Sequence, residues 1–223
     1  MSSEKNILVS RNLKTDSPLR IWAQEKGHSL IELPFIRIDP VVGVEIPATD
    51  WVFFSSPNGL DIYFKHYPLL APKIGVYGEG TNSRLKRLGM EANFVGDTSK
   101  NPAEIGEEFF NSISPKDSVL FPQSQLSKKS IVGLNKMNDC IQKVVYETAL
   151  EASEIHEVDV AILSSPSNID GYLIQNEVRN TTFIVLGETS KNHFNSLGLT
   201  DRIHVPESAS EEAVIILLDR LLK

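Results

Sequence analysis

Two Ser-Ser-Pro motifs, at residues 55–57 and 164–166, are the first candidates for chemistry in this sequence. Each motif follows an apolar run typical of a buried strand and precedes a stretch that can form a helix. Serine is a preferred helix N-cap and proline a preferred first helical residue, so a well-formed helix start explains either motif by itself. The free backbone N–H groups at such helix starts also bind anions. Two such starts facing each other predict a site for a molecule rich in carboxylates.

Two Gly-Glu turns follow further strand-like runs. The first reads Gly78-Glu79-Gly80-Thr81-Asn82-Ser83 and has only part of the Gly-x-Gly-x-x-Gly fingerprint, and the second, Gly187-Glu188-Thr189-Ser190, has less of it. Neither turn follows the first strand of its α/β unit, where a dinucleotide fingerprint belongs. These turns therefore exclude a dinucleotide site, and they predict helix starts capped by the hydroxyls of Thr81, Thr189 and Ser190.

A polar segment and a tyrosine complete the candidates. Residues 123–129, Gln-Ser-Gln-Leu-Ser-Lys-Lys, follow a predicted strand at 118–121. We expect a loop and helix start there that can bring lysines to bound carboxylates, although a solvated helix face explains the segment equally well. Tyr146 ends another predicted strand and can donate a proton, although packing in the core is the commoner role of such a tyrosine.

Several kinds of site are excluded by what the sequence lacks. The five histidines show neither HxxxH nor HxH spacing, which argues against zinc. Neither a Gly-x-Ser-x-Gly elbow nor a phosphate-binding Walker motif occurs. The net charge is −7 and no basic run exceeds Lys128-Lys129, so we expect no nucleic-acid partner. No apolar run is long enough to cross a membrane, and no signal core precedes the first strand. With the single Cys140, these features predict a cytoplasmic protein.

The chain repeats itself at an interval of 109 residues. Pro57, Gly78 and Gly89 are matched by Pro166, Gly187 and Gly198, each within similar surroundings and without a gap. Three landmarks at one interval indicate an ancient duplication. Residues 7–11 also resemble residues 119–123. Gly89 and Gly198 each stand between a predicted helix and a strand, where glycine ends a helix in the left-handed conformation.

Short apolar runs alternate with amphipathic stretches, such as 81–88 and 211–222, throughout both copies. This alternation predicts an α/β fold with parallel sheets covered on both faces. The predicted strands lie near 7–10, 30–36, 51–55, 73–77, 92–95, 118–121, 141–149, 158–163, 182–186 and 202–205.

Taken in order, these motifs resemble the uroporphyrinogen-III synthase family over roughly residues 6–222. No single motif is specific, but the succession is. The stretches that carry the resemblance are Ile7-Leu8-Val9-Ser10-Arg11, Phe54-Ser55-Ser56-Pro57-Asn58-Gly59, Val76-Tyr77-Gly78-Glu79-Gly80-Thr81, Leu120-Phe121-Pro122, Val144-Val145-Tyr146-Glu147-Thr148, Leu163-Ser164-Ser165-Pro166-Ser167 and Leu186-Gly187-Glu188-Thr189.

The resemblance implies an architecture. It consists of two similar doubly wound parallel-sheet domains, flavodoxin- or Rossmann-like, joined by a two-stranded β hinge. Residues 1–33 and 151–223 would form a discontinuous first domain and residues 39–143 the second. Residues 34–38 and 144–150 would form the hinge. The two Ser-Ser-Pro turns would then face each other across one cleft.

The resemblance also implies a reaction, that of a lyase of tetrapyrrole (haem) biosynthesis that needs no cofactor. Hydroxymethylbilane, a linear tetrapyrrole, would lose water and close into a ring through an azafulvene and a spiro intermediate, with inversion of the last pyrrole. Tyr146 would be the general acid. The protein would be a cytoplasmic monomer that contacts porphobilinogen deaminase transiently. The implied substrate-binding residues are Arg11, Ser56, Asn58, Thr81, Asn82, Gln123, Ser124, Lys128, Ser165, Ser167, Thr189 and Ser190.

Two other classes of protein share such a duplicated fold. One is a non-catalytic two-lobed binding module, and the other is a regulatory module that has lost the chemistry. Three features depart from the family's pattern: Gln123 stands where arginine is common, Glu188 stands where a small residue or proline is usual, and Arg11 lacks a following proline. Glu188 and Glu79 also each add a carboxylate beside an anionic ligand.

Overall fold

A computed structural model describes residues 3–127, 130–133, 137–178 and 180–222. The chain divides into two compact units. Unit 1 comprises Met1–Arg37 and Ala149–Lys223, and unit 2 comprises Ile38–Thr148. Among the described residues, no helix is long and apolar enough to cross a membrane.

Strands and helices alternate along most of the chain. The strands are β1 (Asn6–Val9), β2 (Ser29–Glu32), β3 (Ile36–Pro40), β4 (Trp51–Phe54), β5 (Lys73–Val76), β6 (Phe94–Val95), β7 (Val119–Ser124), β8 (Cys140–Leu150), β9 (Val160–Leu163), β10 (Thr182–Val185) and β11 (Ile203–His204). The helices are α1 (Pro18–Lys26), α2 (Pro57–His66), α3 (Glu79–Arg87), α4 (Pro102–Ser112), α5 (Pro166–Leu173), α6 (Glu188–Ser196) and α7 (Glu211–Leu221).

Unit 1 contains a parallel five-stranded sheet in the order β2-β1-β9-β10-β11. Its strands are apolar on both faces because helices cover both of them. Leu19 and Trp22 of α1 and Leu218 of α7 pack on one face. Tyr172 of α5 and Phe194 of α6 pack on the other. Within the unit this strand order is that of flavodoxin-like folds.

Unit 2 repeats this arrangement and adds an edge strand. Its sheet has the order β3-β8-β7-β4-β5-β6, with β4 to β8 paired in parallel. Leu60 and Tyr63 of α2 and Leu85 of α3 pack on one face. Ile105 and Phe109 of α4 pack on the other.

The two sheets match strand for strand. In unit 2 the strand pairs β7–β4 and β4–β5 take the places of β1–β9 and β9–β10 in unit 1. The registers agree as well, because Trp51 pairs with Val119 just as Val160 pairs with Ile7. The predicted fold class of two similar parallel-sheet units is confirmed. The predicted left-handed glycines at the helix ends are confirmed too, with φ of 77° at Gly89 and 75° at Gly198.

Two strand predictions were wrong. The single strand expected at 30–36 is two strands, β2 and β3, separated around Pro34, which has no N–H to donate to a ladder. The strand expected at 118–121 continues to Ser124, because Gln123 pairs with Val144 and Ser124 with Tyr146 across a bulge. Gln123 and Ser124 therefore belong to a strand rather than to a loop and helix start. In the described part of 125–139 no helix follows them.

Candidate functional site

Both Ser-Ser-Pro motifs lie where the strand order of their sheet reverses. In unit 1 the reversal falls between β1 and β9, and in unit 2 it falls between β7 and β4. Open α/β sheets bind ligands beyond the carboxyl ends of the strands at this point. Ser164 and Ser165 follow β9 there, and Ser55 and Ser56 follow β4.

In unit 2 the switch point holds a serine–tyrosine pair. Ser56 caps α2, and its Oγ accepts a hydrogen bond from Gly59 N at 3.1 Å. The same oxygen lies 3.0 Å from the hydroxyl of Tyr146, which β8 brings to this point. A Cβ on Gly59 would lie 3.4 Å from the Tyr146 ring and 3.3 Å from Ser56 Oγ. Glycine at this position therefore leaves room for the pair.

The Tyr146 hydroxyl stays protonated at neutral pH. The side chain is buried, with 6% of its surface exposed. Desolvation raises the pKa of Tyr146, and the hydrogen bond with Ser56 offsets part of that effect. A neutral, oriented phenol at a ligand-binding edge can donate a proton to a leaving oxygen.

In unit 1 the switch point holds a network around Asn168, which stands at the position of Gly59 in the repeat. Ser165 caps α5, and its Oγ accepts from Asn168 N at 3.3 Å. The Asn168 side chain donates through Nδ2 to Ser165 Oγ at 2.9 Å and to Ser164 Oγ at 3.2 Å, and its Oδ1 accepts from Phe35 N at 3.4 Å. Ser10 joins this network, since its Oγ accepts from Ser164 N at 3.0 Å.

Asn168 and Ser10 were missed by the sequence reasoning. The sequence did contain one indication of Asn168, because the residue 109 positions earlier is Gly59 and the two copies therefore differ at this position. The network leaves unit 1 with bonded serines at its switch point and unit 2 with a phenol. The two switch points therefore differ in the side chains that they present.

The Gly-Glu turns form the second pair of helix starts. The N-caps of α3 and α6 are Gly78 and Gly187, and neither cap makes a side-chain hydrogen bond. The expected hydroxyl caps were therefore wrong, because Thr81, Thr189 and Ser190 all lie inside the helices. Thr81 and Ser190 are also buried. Gly78 is required because a Cβ there would lie 2.3 Å from Thr98 Cγ2. Gly187 is required because its φ of 138° is one that residues with a side chain rarely adopt. Uncapped first-turn amides can bind anions.

The carboxylates of Glu79 and Glu188, beside these helix starts, interact with polar or basic side chains of their own helices. Glu79 accepts from Asn82 Nδ2 at 2.9 Å and from Ser83 Oγ at 3.2 Å. These two hydrogen bonds hold the pKa of Glu79 below its usual value. Glu188 lies 3.9 Å from Lys191 Nζ. Asn82, a predicted substrate ligand, thus has its amide nitrogen engaged by Glu79.

The remaining predicted binding residues lie in several environments. Arg11 is exposed and donates to Glu211 Oε1 of α7 at 3.0 Å. Gln123 is buried and its Nε2 donates to Gln142 Oε1 at 3.2 Å. Ser124 donates to Gln125 Oε1 at 2.8 Å. Asn58 and Thr189 are exposed and Ser167 is half-buried, each at the start of a helix. Lys128 lies outside the described residues.

Comparison with known proteins identifies the family. The family model described as uroporphyrinogen-III synthase HemD matches residues 20–216, which is most of the chain. The chain belongs to the uroporphyrinogen-III synthase family. The match favours an enzyme over the binding and regulatory alternatives. It places the protein among the lyases of porphyrin and tetrapyrrole biosynthesis.

Relatives of the synthase family agree with this assignment. A uroporphyrinogen-III synthase of Chlorobaculum parvum is 24% identical over 228 aligned positions, covering 90% of this chain and 84% of the relative. The crystal structure of uroporphyrinogen-III synthetase from Helicobacter pylori matches with a TM-score of 0.68 and 18% identity, covering 97% of this chain and 99% of that one. A mutant Thermus thermophilus synthase matches with a TM-score of 0.63 and 10% identity, covering 98% of both chains. At these identities the two structures support the fold.

Proposed function

We propose that this chain closes hydroxymethylbilane into uroporphyrinogen III, with loss of water and inversion of the last pyrrole ring. Family membership supports the reaction class. The observation that most directly supports a site in this chain is the buried hydroxyl of Tyr146, 3.0 Å from the Ser56 cap at the switch point of unit 2. A protonated phenol is available there to a leaving hydroxyl.

In this proposal Tyr146 assists the first chemical step. The lone pair of the terminal pyrrole nitrogen pushes out the hydroxyl, the carbon–oxygen bond breaks, and the phenol proton converts the departing group into water. The azafulvenium cation that remains gives its N–H proton to the phenolate, which restores Tyr146. The resulting electron-poor azafulvene is attacked by a substituted ring carbon to give the spiro intermediate. The contact with Ser56 holds the phenol oxygen in one place. Because the substrate supplies most of the driving force, the protein contributes chiefly by positioning the reacting carbons.

The substrate carboxylates are proposed to bind at the helix starts. Each unit offers two of them at the carboxyl edge of its sheet, those of α2 and α3 in unit 2 and of α5 and α6 in unit 1. Backbone N–H groups and the positive end of the helix dipole attract anions there. This explains how a chain with a net charge of −7 can hold a polyanion without a cluster of arginines. The proposed ligands are Ser56, Asn58, Thr81, Ser165, Ser167, Thr189 and Ser190, with Arg11, Asn82, Gln123, Ser124 and Lys128 in supporting positions.

A product assay tests the proposed reaction. Porphobilinogen and porphobilinogen deaminase generate the linear substrate, the protein is added, and the products are oxidised and separated as uroporphyrins I and III. We expect a rise in isomer III that scales with the amount of protein. Isomer I alone, from folded protein, would refute the proposal, because spontaneous closure gives the symmetric ring.

We also propose a cytoplasmic monomer that meets porphobilinogen deaminase transiently. A sequence with one cysteine forms no internal disulfide, which suits a reducing compartment. Handover from the deaminase would shorten the time for which a reactive substrate is free. Sedimentation of the protein with and without the deaminase tests the monomeric state and the transient contact. A stable dimer would contradict the proposed monomer.

A further inference from the structure

An ion pair that joins neighbouring helices recurs at the same place in both units. In unit 2, Arg84 Nε of α3 lies 2.8 and 2.9 Å from the two carboxylate oxygens of Asp61 on α2. In unit 1, His193 Nε2 of α6 lies 2.6 Å from Asp170 Oδ1 on α5. Each residue stands 109 positions from its counterpart, the interval of the duplication. The carboxylate is therefore common to both units, whereas its nitrogen partner is arginine in one and histidine in the other.

Both pairs lie one helical turn from the helix starts proposed to hold the substrate. Each member comes three residues after a proposed binding residue of its own helix, and residues three apart share a helix face. The binding residues and their partners along the helix are Asn58 with Asp61, Thr81 with Arg84, Ser167 with Asp170, and Ser190 with His193. At about 1.5 Å of rise per residue, each pair stands about 4.5 Å along the axis from the binding residue. A bond at that level fixes the spacing of the two helix starts.

We propose that these pairs position the helix starts for the substrate carboxylates, and that the pair in unit 1 weakens as pH rises whereas the pair in unit 2 does not. A guanidinium keeps its charge over the whole working range of pH. An imidazole is the side chain that ordinarily changes charge between about pH 5 and 8. A charged donor makes a hydrogen bond roughly twice as strong as a neutral one. The neutral imidazole therefore holds Asp170 less firmly.

Among the described helices and strands that pack against α6, Asp170 carries the acidic side chain that contacts the His193 ring. Helix α6 packs against α5 and β10. The other ionisable side chain of α5 is that of Tyr172, whose hydroxyl donates to the Glu177 carbonyl at 3.4 Å. The other charged residues of α6, Glu188 and Lys191, lie 3.9 Å from each other. Strand β10 has no ionisable side chain. In unit 2, the hydrogen bond to Asp61 raises the pKa of Arg84, which keeps that pair charged.

The inference rests on the proposed function for its effect on the reaction, and exchanging the two cations tests it. We expect the KM for hydroxymethylbilane to rise about two- to fivefold between pH 6 and 8 in the wild type, the range of a partly exposed ion pair. His193→Arg should remove this rise with kcat unchanged. Arg84→His should add a second rise of similar size. His156→Arg, at an exposed loop position of the same unit, is the matched control and should keep the wild-type profile.

Amide hydrogen exchange tests the positioning role without an activity assay. After correction for the intrinsic pH dependence, the first turns of α5 and α6 should exchange faster at pH 8 than at pH 6 in the wild type, and equally in His193→Arg. Asp170→Asn should exchange fast at both pH values. A pH effect that persists in His193→Arg, or that is missing from the wild type, would overturn the inference. If hydrogen exchange follows this prediction but the protein makes no isomer III, the pairs are supported as structural links between the helices. Only the proposed function is then refuted.

Discussion

Replacing Tyr146 by phenylalanine removes one hydroxyl and keeps the buried ring. The hydroxyl lies 3.0 Å from Ser56 Oγ, and that oxygen keeps its bond from Gly59 N at 3.1 Å. The change therefore leaves Ser56 Oγ with a hydrogen-bond partner. Loss of one neutral hydrogen bond costs about 0.5–1.5 kcal/mol in the free energy of unfolding. We expect Tyr146→Phe to fold, with a slightly lower urea midpoint.

The effect of Tyr146→Phe on turnover should be several-fold rather than total. General acids contribute about 10²–10⁴-fold where a poor leaving group depends on them. Here the pyrrole nitrogen expels the hydroxyl, and water can supply the proton. We expect kcat to fall about three- to tenfold, equivalent to about 0.7–1.4 kcal/mol in the barrier. The KM should hardly change, because the substrate carboxylates are proposed to bind at the helix starts and not at the phenol.

The isomer III assay under initial-rate conditions measures this effect, with Tyr63→Phe as the control. Tyr63 is buried in the same unit, and its hydroxyl donates to the Pro68 carbonyl at 3.0 Å, away from the switch point. The control should lose some stability and keep kcat. An unchanged kcat in Tyr146→Phe would remove this tyrosine from the acid role. A fall beyond about 10²-fold at unchanged stability would refute the argument that positioning dominates.

Three further predictions concern stability. Asn168→Ala withdraws the donor of two serines and the acceptor of Phe35 N, so urea unfolding should show a loss of about 1–3 kcal/mol, and an unchanged midpoint would refute the network. Gly171→Ala places a Cβ 2.3 Å from the Phe35 carbonyl oxygen and should cost about 2 kcal/mol or more, whereas Gly80→Ala meets open space in a helix and should be neutral or stabilising. Burial raises the pKa of Tyr63 to about 12, so the unfolded chain releases this proton near pH 10 and the folded chain does not. Stability should therefore fall from pH 10 towards pH 12, and Tyr63→Phe should flatten that fall in thermal melts.

The duplication is what made the fold predictable from the sequence. An interval of 109 residues aligned the Ser-Ser-Pro and Gly-Glu turns without gaps, and residues 7–11 resembled residues 119–123. The matching registers of these strands were seen only in the structure. Parallel strands buried on both faces are strongly apolar, so their positions stood out. Strand ends were less predictable. Polar Gln123 and Ser124 continue β7 because their backbones pair with β8, and a pattern of side chains does not encode that pairing.

Side-chain networks were the least predictable part of the site. The pattern placed Ser56 and Tyr146 in candidate roles, but their 3.0 Å contact depends on the bulged pairing of β7 with β8, which sets Tyr146 opposite Ser124. The expected caps at Thr81 and Ser190 failed because a glycine already begins each helix one turn earlier. Asn168 was not predicted because the motifs consist of residues that the two copies share. At this position the copies differ, since the first copy has Gly59.

The interleaving of the two units bears on how the protein is made. Unit 2 is one continuous stretch, and its central strands join segments such as Asp50 and Ser118, 68 residues apart. Unit 1 starts with β1 and β2, but the middle strand of its sheet is β9, so Ser10 must find Ser164, 154 residues later. Such distant pairings form slowly, and domains fold as units during synthesis. On the ribosome, unit 2 can be complete while β1 and β2 still lack β9. The apolar residues Ile7, Leu8 and Val9 of β1 are then exposed, and this segment needs protection from aggregation until β9 is made.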